Sequence, residues 1–70
     1  AAAWVDTRWD LRRSELPEAV RAAVANSGYA SYRMDDIEYV QTPSADYYLV
    51  ELERGEREIR LRIGSDGTIL

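Results

Sequence analysis

The sequence predicts an α+β fold in which a single α-helix packs on one face of a mainly antiparallel four-stranded sheet, in the order β-α-β-β-β. The prediction rests on two changes in the period of the apolar residues. They alternate with polar residues at the start of the chain and again after residue 36, which is typical of half-buried strands, whereas residues 16–27 repeat with a helical period. The last strands follow one another through short connections, and such neighbours pair antiparallel.

The first strand is the segment WVDTRWDL, residues 4–11. Its residues alternate between two faces, one formed by Val5, Thr7, Trp9 and Leu11 and the other by Trp4, Asp6, Arg8 and Asp10. We expect Trp9 in the core. Because main-chain pairing does not depend on which chain supplies a strand, this segment either folds back onto its own sheet or crosses to the open edge of a neighbouring copy.

The segment RRSELPEAVRAAVANSG, residues 12–28, has the period of an amphipathic helix of roughly three turns. Its apolar stripe consists of Leu16, Val20, Ala23 and Val24. Pro17 suits the first turn, and Gly28 suits a left-handed residue that ends the helix. Ser14 and Leu16 are the two candidates for the N-cap. The alanines of the middle have high helix propensity and let the helix lie close to the sheet.

The next strand is less regular. Ile37, Tyr39 and Val40 indicate a strand, but Asp35 and Asp36 break the alternation and predict a bulge or a late start. The segment PSAD, residues 43–46, is predicted to be a loop because a proline breaks the run. Tyr39 and Tyr48 are expected to join Trp9 in the core.

A hairpin follows, with a two-residue type II′ turn at Gly55-Glu56. On the buried face, this register pairs Leu52 with Ile59, Val50 with Leu61 and Tyr48 with Ile63. On the other face, it pairs Leu49 with Arg62 and Glu51 with Arg60. A turn centred on Arg54-Gly55 would instead set Glu51 against Glu58. The first register is preferred because it pairs opposite charges. An Asp-Gly turn and a short last strand close the chain.

The composition argues against several classes of function. The chain has no Cys and no His, so it lacks a disulfide, a thiol nucleophile and the commonest general base. Its net charge is −4, and all nine basic residues are Arg without forming a basic run, which argues against nucleic acid and anionic lipid as partners. No apolar run approaches the roughly 18 residues that a membrane span needs.

The acidic cluster of Asp35, Asp36 and Glu38 and the turn residue Asp66 invite a metal hypothesis, but neighbouring residues of an extended chain point to opposite faces. No further oxygen ligand has the spacing of a calcium loop. The serines have neither His nor Lys to activate them. We therefore predict no catalytic residue, no metal and no cofactor.

Four segments carry a family resemblance: ELPEAVRAAV at 15–24, DIEYV at 36–40, YYLVEL at 47–52 and GSDGTIL at 64–70. Residues 14–70 resemble the PepSY-like domains, also described as β-lactamase-inhibitor-like. The sequence departs from them at Gly64, where the family often has Asp, and in the link YASYRMD, residues 29–35. The resemblance implies an exported bacterial protein, periplasmic, cell-surface or secreted, with a non-enzymatic role in protein binding or peptidase inhibition. Residues 1–70 then form one such domain, and residues 1–13 are its N-terminal strand, for which pairing within its own sheet, exchange with a neighbour and origin in a tandem copy are the alternatives.

A single helix leaves one face of the sheet open. We expect that face to carry the protein-binding residues Trp4, Tyr47, Leu49, Arg60 and Arg62, because aromatic, Leu and Arg side chains together are typical of interfaces. The partner is another protein or a second copy of the chain. In the alternative function, the chain is a self-assembling structural subunit that forms a filament or homo-oligomer by strand exchange or by packing of sheet faces.

Overall fold

The computed structural model describes residues 7–70 and contains one α-helix and one four-stranded antiparallel sheet, which confirms the predicted fold class. The elements are β1 (Thr7–Asp10), a 3₁₀ turn (Arg13–Glu15), α1 (Glu18–Asn26), β2 (Arg33–Gln41), β3 (Asp46–Arg54) and β4 (Arg57–Ile63). The strands lie in the sheet in the order of the chain, β1-β2-β3-β4. No helix in this part of the chain is long and apolar enough to cross a membrane.

Strand β1 pairs with the end of β2 of its own chain. Thr7 lies opposite Gln41 and Asp10 opposite Glu38. The Leu11 N–H extends this contact by donating to the carbonyl of Ile37 at 2.9 Å. The sequence predicts that the N-terminal strand either folds back onto its own sheet or crosses to a neighbouring copy. Its described residues pair within their own chain.

The start of the helix differs from the prediction. The N-cap is Pro17, so the expectation that Ser14 or Leu16 takes this role is wrong. Residues 13–15 instead form a 3₁₀ turn, in which the Arg12 N–H donates to Glu15 Oε1 at 2.8 Å. The helix therefore has nine residues and is shorter than the predicted three turns. It is followed by Gly28, whose φ of 90° is the expected left-handed conformation.

The core lies between α1 and one face of the sheet. Leu16, Val20 and Val24 come from the helical side and pack against the buried sheet residues Ile37, Val50, Leu52 and Ile63. Because side chains alternate along a strand, this packing assigns every other residue of β2, β3 and β4 to the helix side. The remaining residues of the strands lie on the opposite face.

The hairpin register is confirmed in full: Leu52 lies opposite Ile59, and Glu51 lies opposite Arg60. Gly55 has a φ of 61°, and no residue other than glycine among residues 7–70 has a positive φ. A positive φ at the first turn residue alone is the type II′ turn, as predicted. A two-residue turn of this kind sets the register of both strands.

Two irregularities lie outside the hairpin. The register of β2 shifts between Met34 and Asp36, so the structure has the bulge rather than the late start. After the turn at Asp66-Gly67, the expected last strand is reduced to a single bridge between Ile63 and Ile69.

The prediction of a buried Trp9 is wrong, because its side chain is 45% exposed. Nine helical residues span about 13 Å, whereas the nine residues of β2 span about 30 Å. The helix covers one end of the sheet, and Trp9 lies on the edge strand outside the core cluster. Tyr39 and Tyr48 are half-buried, and Tyr48 packs against the core.

Candidate protein-binding face

The residues predicted to bind a protein lie together on the face of the sheet opposite α1, which we call the open face. Leu49 lies opposite Arg62 across β3 and β4, and Tyr47, two residues before Leu49, lies on the same side of β3. Arg60 lies on this face opposite Glu51. Among residues 7–70, no helix or strand packs over the open face. The fifth predicted residue, Trp4, lies outside the described residues.

Arg62 and Tyr47 are in contact on this face. The guanidinium carbon of Arg62 lies 5.4 Å from the centre of the Tyr47 ring, within the range of a cation–π interaction. Tyr47 and Leu49 are half-buried, whereas Arg60 and Arg62 are exposed. The open face therefore combines partly buried apolar surface with exposed guanidinium groups.

Ion pairs join neighbouring strands across the open face: Arg8–Glu38 at 3.8 Å, Arg60–Glu51 at 3.6 Å and Arg33–Glu53 at 3.4 Å. Their arginine side chains are 48–73% exposed, so water screens each pair and each adds little to stability. These pairs make positive and negative charges alternate along this surface.

The open face also has one fully buried apolar residue in β2. Val40 is fully buried, with Arg8 and Tyr47 directly opposite it on the two neighbouring strands. It does not belong to the core cluster beneath the helix. The open face is therefore not a purely polar surface.

A groove of about 580 Å³ lies at one end of this face. It is lined by the loop of residues 42–45 and by Tyr47, Arg62 and Leu70. Hydrogen bonds hold the loop: the Thr42 N–H donates to the Ala45 carbonyl at 3.0 Å, and the Thr42 hydroxyl donates to the same oxygen at 2.6 Å. One wall of the groove is thus ordered before any partner binds, which lowers the entropic cost of binding.

Three of the four acidic residues considered for metal binding have local roles. Asp36 Oδ1 accepts a hydrogen bond from the Ile37 N–H at 3.1 Å, and Glu38 pairs with Arg8. Asp66 Oδ1 accepts one from the Thr68 N–H at 2.9 Å, which together with the Thr68 hydroxyl lowers the pKa of Asp66. Within residues 7–70, no three His, Cys, Asp or Glu side chains lie close enough together to hold a metal ion.

A row of aromatic rings lies on the other face, across β1, β2 and β3. Trp9 stacks on Tyr39 with ring centres 5.6 Å apart, and Tyr39 meets Tyr48 at 5.0 Å. Partial burial, together with the hydrogen bond from the Tyr39 hydroxyl to Asp46 Oδ2, raises the pKa of Tyr39. Alternation along each strand places these residues on one face, and the registers of both strand pairs align them, because Tyr39 lies opposite Trp9 on β1 and opposite Tyr48 on β3.

No protein-family model matches this chain, and no curated protein matches it. The resemblance of residues 14–70 to the PepSY-like domains stays a prediction from the sequence. The open face offers a ring with a guanidinium beside it, partly buried apolar side chains and charges of both signs.

Proposed function

We propose that this chain is a non-enzymatic, inhibitor-like module that binds another protein through the open face. The observation that supports this most directly is the Tyr47–Arg62 pair, which lines a groove on a sheet face that residues 7–70 leave uncovered. Tyr and Arg are enriched among the residues that dominate binding energy at protein interfaces. A ring next to a guanidinium presents both apolar area and charge to a partner.

The arrangement favours a partner that inserts one apolar or aromatic side chain into the groove and places acidic groups beside it. Arg60 and Arg62 project from β4 on the same face, two residues apart. Arg60 is held near Glu51, whereas the guanidinium of Arg62 lies over a ring. An acidic group of the partner next to Arg62 would therefore meet a positive charge that is not neutralised by that ion pair.

The composition and the family resemblance support the same class of function. A chain without His and Cys lacks the usual groups for acid–base and thiol catalysis. The resemblance of residues 14–70 to the PepSY-like domains adds an extracytoplasmic location and a protein as the partner. We include both in the proposal.

The proposal is tested by capturing partners from the secreted fraction of the source organism with a photo-crosslinking residue at position 49. The same residue at position 22, on the exposed side of the helix, is the control. We expect a protein that is crosslinked from position 49 and not from position 22. Its yield should fall at least about tenfold in the variant Y47S/R62S, because hot-spot residues typically contribute 2 kcal/mol or more. Equal crosslinking from both positions would contradict a specific role of the open face.

A second candidate function is self-assembly, which the free edge of β4 favours. Beyond the Ile63–Ile69 bridge and the hydrogen bond from Leu70 to Arg62, no strand of the described chain pairs with the outer edge of β4. Such an edge offers unpaired backbone groups to another copy. Light scattering at low and high concentration separates the two functions, because a protein-binding module remains at the 8.0 kDa of one chain whereas an assembling subunit grows in mass.

A further inference from the structure

A second concave site lies between α1 and the start of β2. It is a pocket of about 190 Å³, and three arginines line it together with apolar side chains. The arginines come from three elements: Arg13 from the 3₁₀ turn, Arg21 from α1 and Arg33 from β2. Val24, Tyr32 and Met34 contribute apolar surface. The pocket shares neither Tyr47 nor Arg62 with the groove of the open face.

Two of the three guanidinium groups are not neutralised. Arg33 pairs with Glu53 at 3.4 Å. Arg13 and Arg21 form no ion pair and donate no side-chain hydrogen bond to any residue that the structure describes. These two positive charges lie beside the apolar side chains of the pocket in a chain whose net charge is −4. They mark the pocket as a place where an anion is attracted.

The fold explains why this pocket is open. The described part of strand β1 pairs only with residues 38–41 of β2, so no strand within residues 7–70 lies on that side of the first half of β2. The bulge between Met34 and Asp36 interrupts β2 at the same place. The short helix passes over this region, so side chains from the helix, the 3₁₀ turn and the strand border one space.

We propose that this pocket binds a carboxylate carried on a small apolar or aromatic body. A guanidinium pairs with a carboxylate through two parallel hydrogen bonds, and Arg13 and Arg21 have all their donors available. The volume holds roughly six water-sized groups, which suits a single ring or a short aliphatic chain. A single negative charge is favoured over a double one because the chain as a whole is acidic. Such a group occurs as a free organic acid or at the C-terminal residue of a peptide.

The test is an NMR titration of the isotope-labelled chain with phenylacetate, and with N-acetylphenylalanine as the mimic of a peptide C-terminus. Phenylacetamide is the uncharged control. We expect saturable shifts of the amide signals around residues 13, 21 and 30–34 in the millimolar range with at least one of the two acids. Saturation by phenylacetate supports a free acid as the ligand, and saturation by N-acetylphenylalanine alone supports a peptide C-terminus. Saturation by neither acid, or equal saturation by the amide, would overturn the proposal.

Matched arginine variants assign the binding to the pocket. Arg13→Gln and Arg21→Gln should each weaken binding about tenfold, because each removes a charge-assisted hydrogen bond. Arg12→Gln removes the neighbouring exposed arginine, which does not line the pocket, and should leave the affinity within about twofold, as expected for a solvent-screened charge outside the site. A loss with Arg12→Gln as large as with Arg13→Gln would show that the attraction is only that of the general surface charge.

Discussion

The guanidinium of Arg62 lies over the ring of Tyr47, although the residue directly opposite Arg62 in the sheet is Leu49. Tyr47 is thus the diagonal neighbour of Arg62, because it lies two residues before Leu49 on β3. Diagonal neighbours in an antiparallel sheet lie about 7 to 8 Å apart at their backbones, which only long or aromatic side chains can bridge. The contact therefore depends on these two side-chain types as well as on the register.

We expect Tyr47 and Arg62 to be energetically coupled. In a double-mutant cycle with Tyr47→Leu and Arg62→Gln, the coupling free energy should be about 0.5 to 1 kcal/mol, the range of an exposed cation–π pair. Urea unfolding of the four proteins measures it. The pair of Arg60→Gln with Tyr47→Leu is the control and should show little coupling. A coupling free energy near zero for Tyr47 and Arg62 would contradict the contact.

Gly67 is expected to be the least replaceable glycine of the chain. Its φ is 90°, and a Cβ atom added there would lie 2.8 Å from the carbonyl oxygen of Ala19 at the start of α1. Gly67→Ala must therefore move either the loop at Asp66-Gly67 or the first turn of the helix. We expect this variant to lower the free energy of unfolding by about 2 to 4 kcal/mol, because left-handed backbone strain and overpacking both contribute.

Gly28 provides the matched control for this prediction. It has the same φ of 90°, but an added Cβ would meet nothing within 4 Å. Gly28→Ala should therefore cost only the backbone strain, about 1 to 2 kcal/mol. Equal losses for the two variants in urea unfolding would show that the contact with Ala19 does not matter.

Trp9 is expected to behave as a surface residue despite its size. Trp9→Ala removes the stacking on Tyr39, so the free energy of unfolding should fall by about 0.5 to 1.5 kcal/mol, the range of an aromatic pair. Leu52→Ala, at a fully buried position, should cost about 2 to 5 kcal/mol. Thermal or urea unfolding of both variants measures the two losses. If Trp9→Ala lowered the free energy of unfolding as much as Leu52→Ala does, the indole would be buried.

The hydrogen bonds of Asp66 should appear in the pH dependence of stability. The pKa of this carboxyl lies below its ordinary value of 3.8 because the N–H and the hydroxyl of Thr68 stabilise the charged form. The folded state therefore gains stability that is fully present above pH 3.8 and is lost as the pH falls through the lowered pKa. Asp66→Asn should lower the melting temperature near neutral pH, and the difference from the original chain should shrink in acid. Thr68→Val, which keeps the N–H, should show a smaller part of the same effect.

Local chemistry in the sequence determined much of the fold. Alternation in residues 48–63 and one glycine that can adopt a positive φ were sufficient to predict the hairpin register, because a two-residue turn leaves little freedom to the strands that it joins. Gly28 marked the end of the helix because glycine can adopt the positive φ that this position requires. The grouping of Tyr47, Leu49, Arg60 and Arg62 on one face followed directly from that register.

Tertiary structure decided what depends on elements that are distant in the sequence. Whether Trp9 is buried depends on how far a nine-residue helix reaches over the sheet, and alternation within β1 is the same in either case. The core also contains Leu16, which directly follows the 3₁₀ turn and lies before the helix. Arg13, Arg21 and Arg33 have no common spacing and border one pocket only because β1 stops short of the first half of β2. The period of the apolar residues and the backbone preferences of turn residues act over a few neighbouring positions. Burial and pockets, in contrast, are set by which elements come to lie side by side.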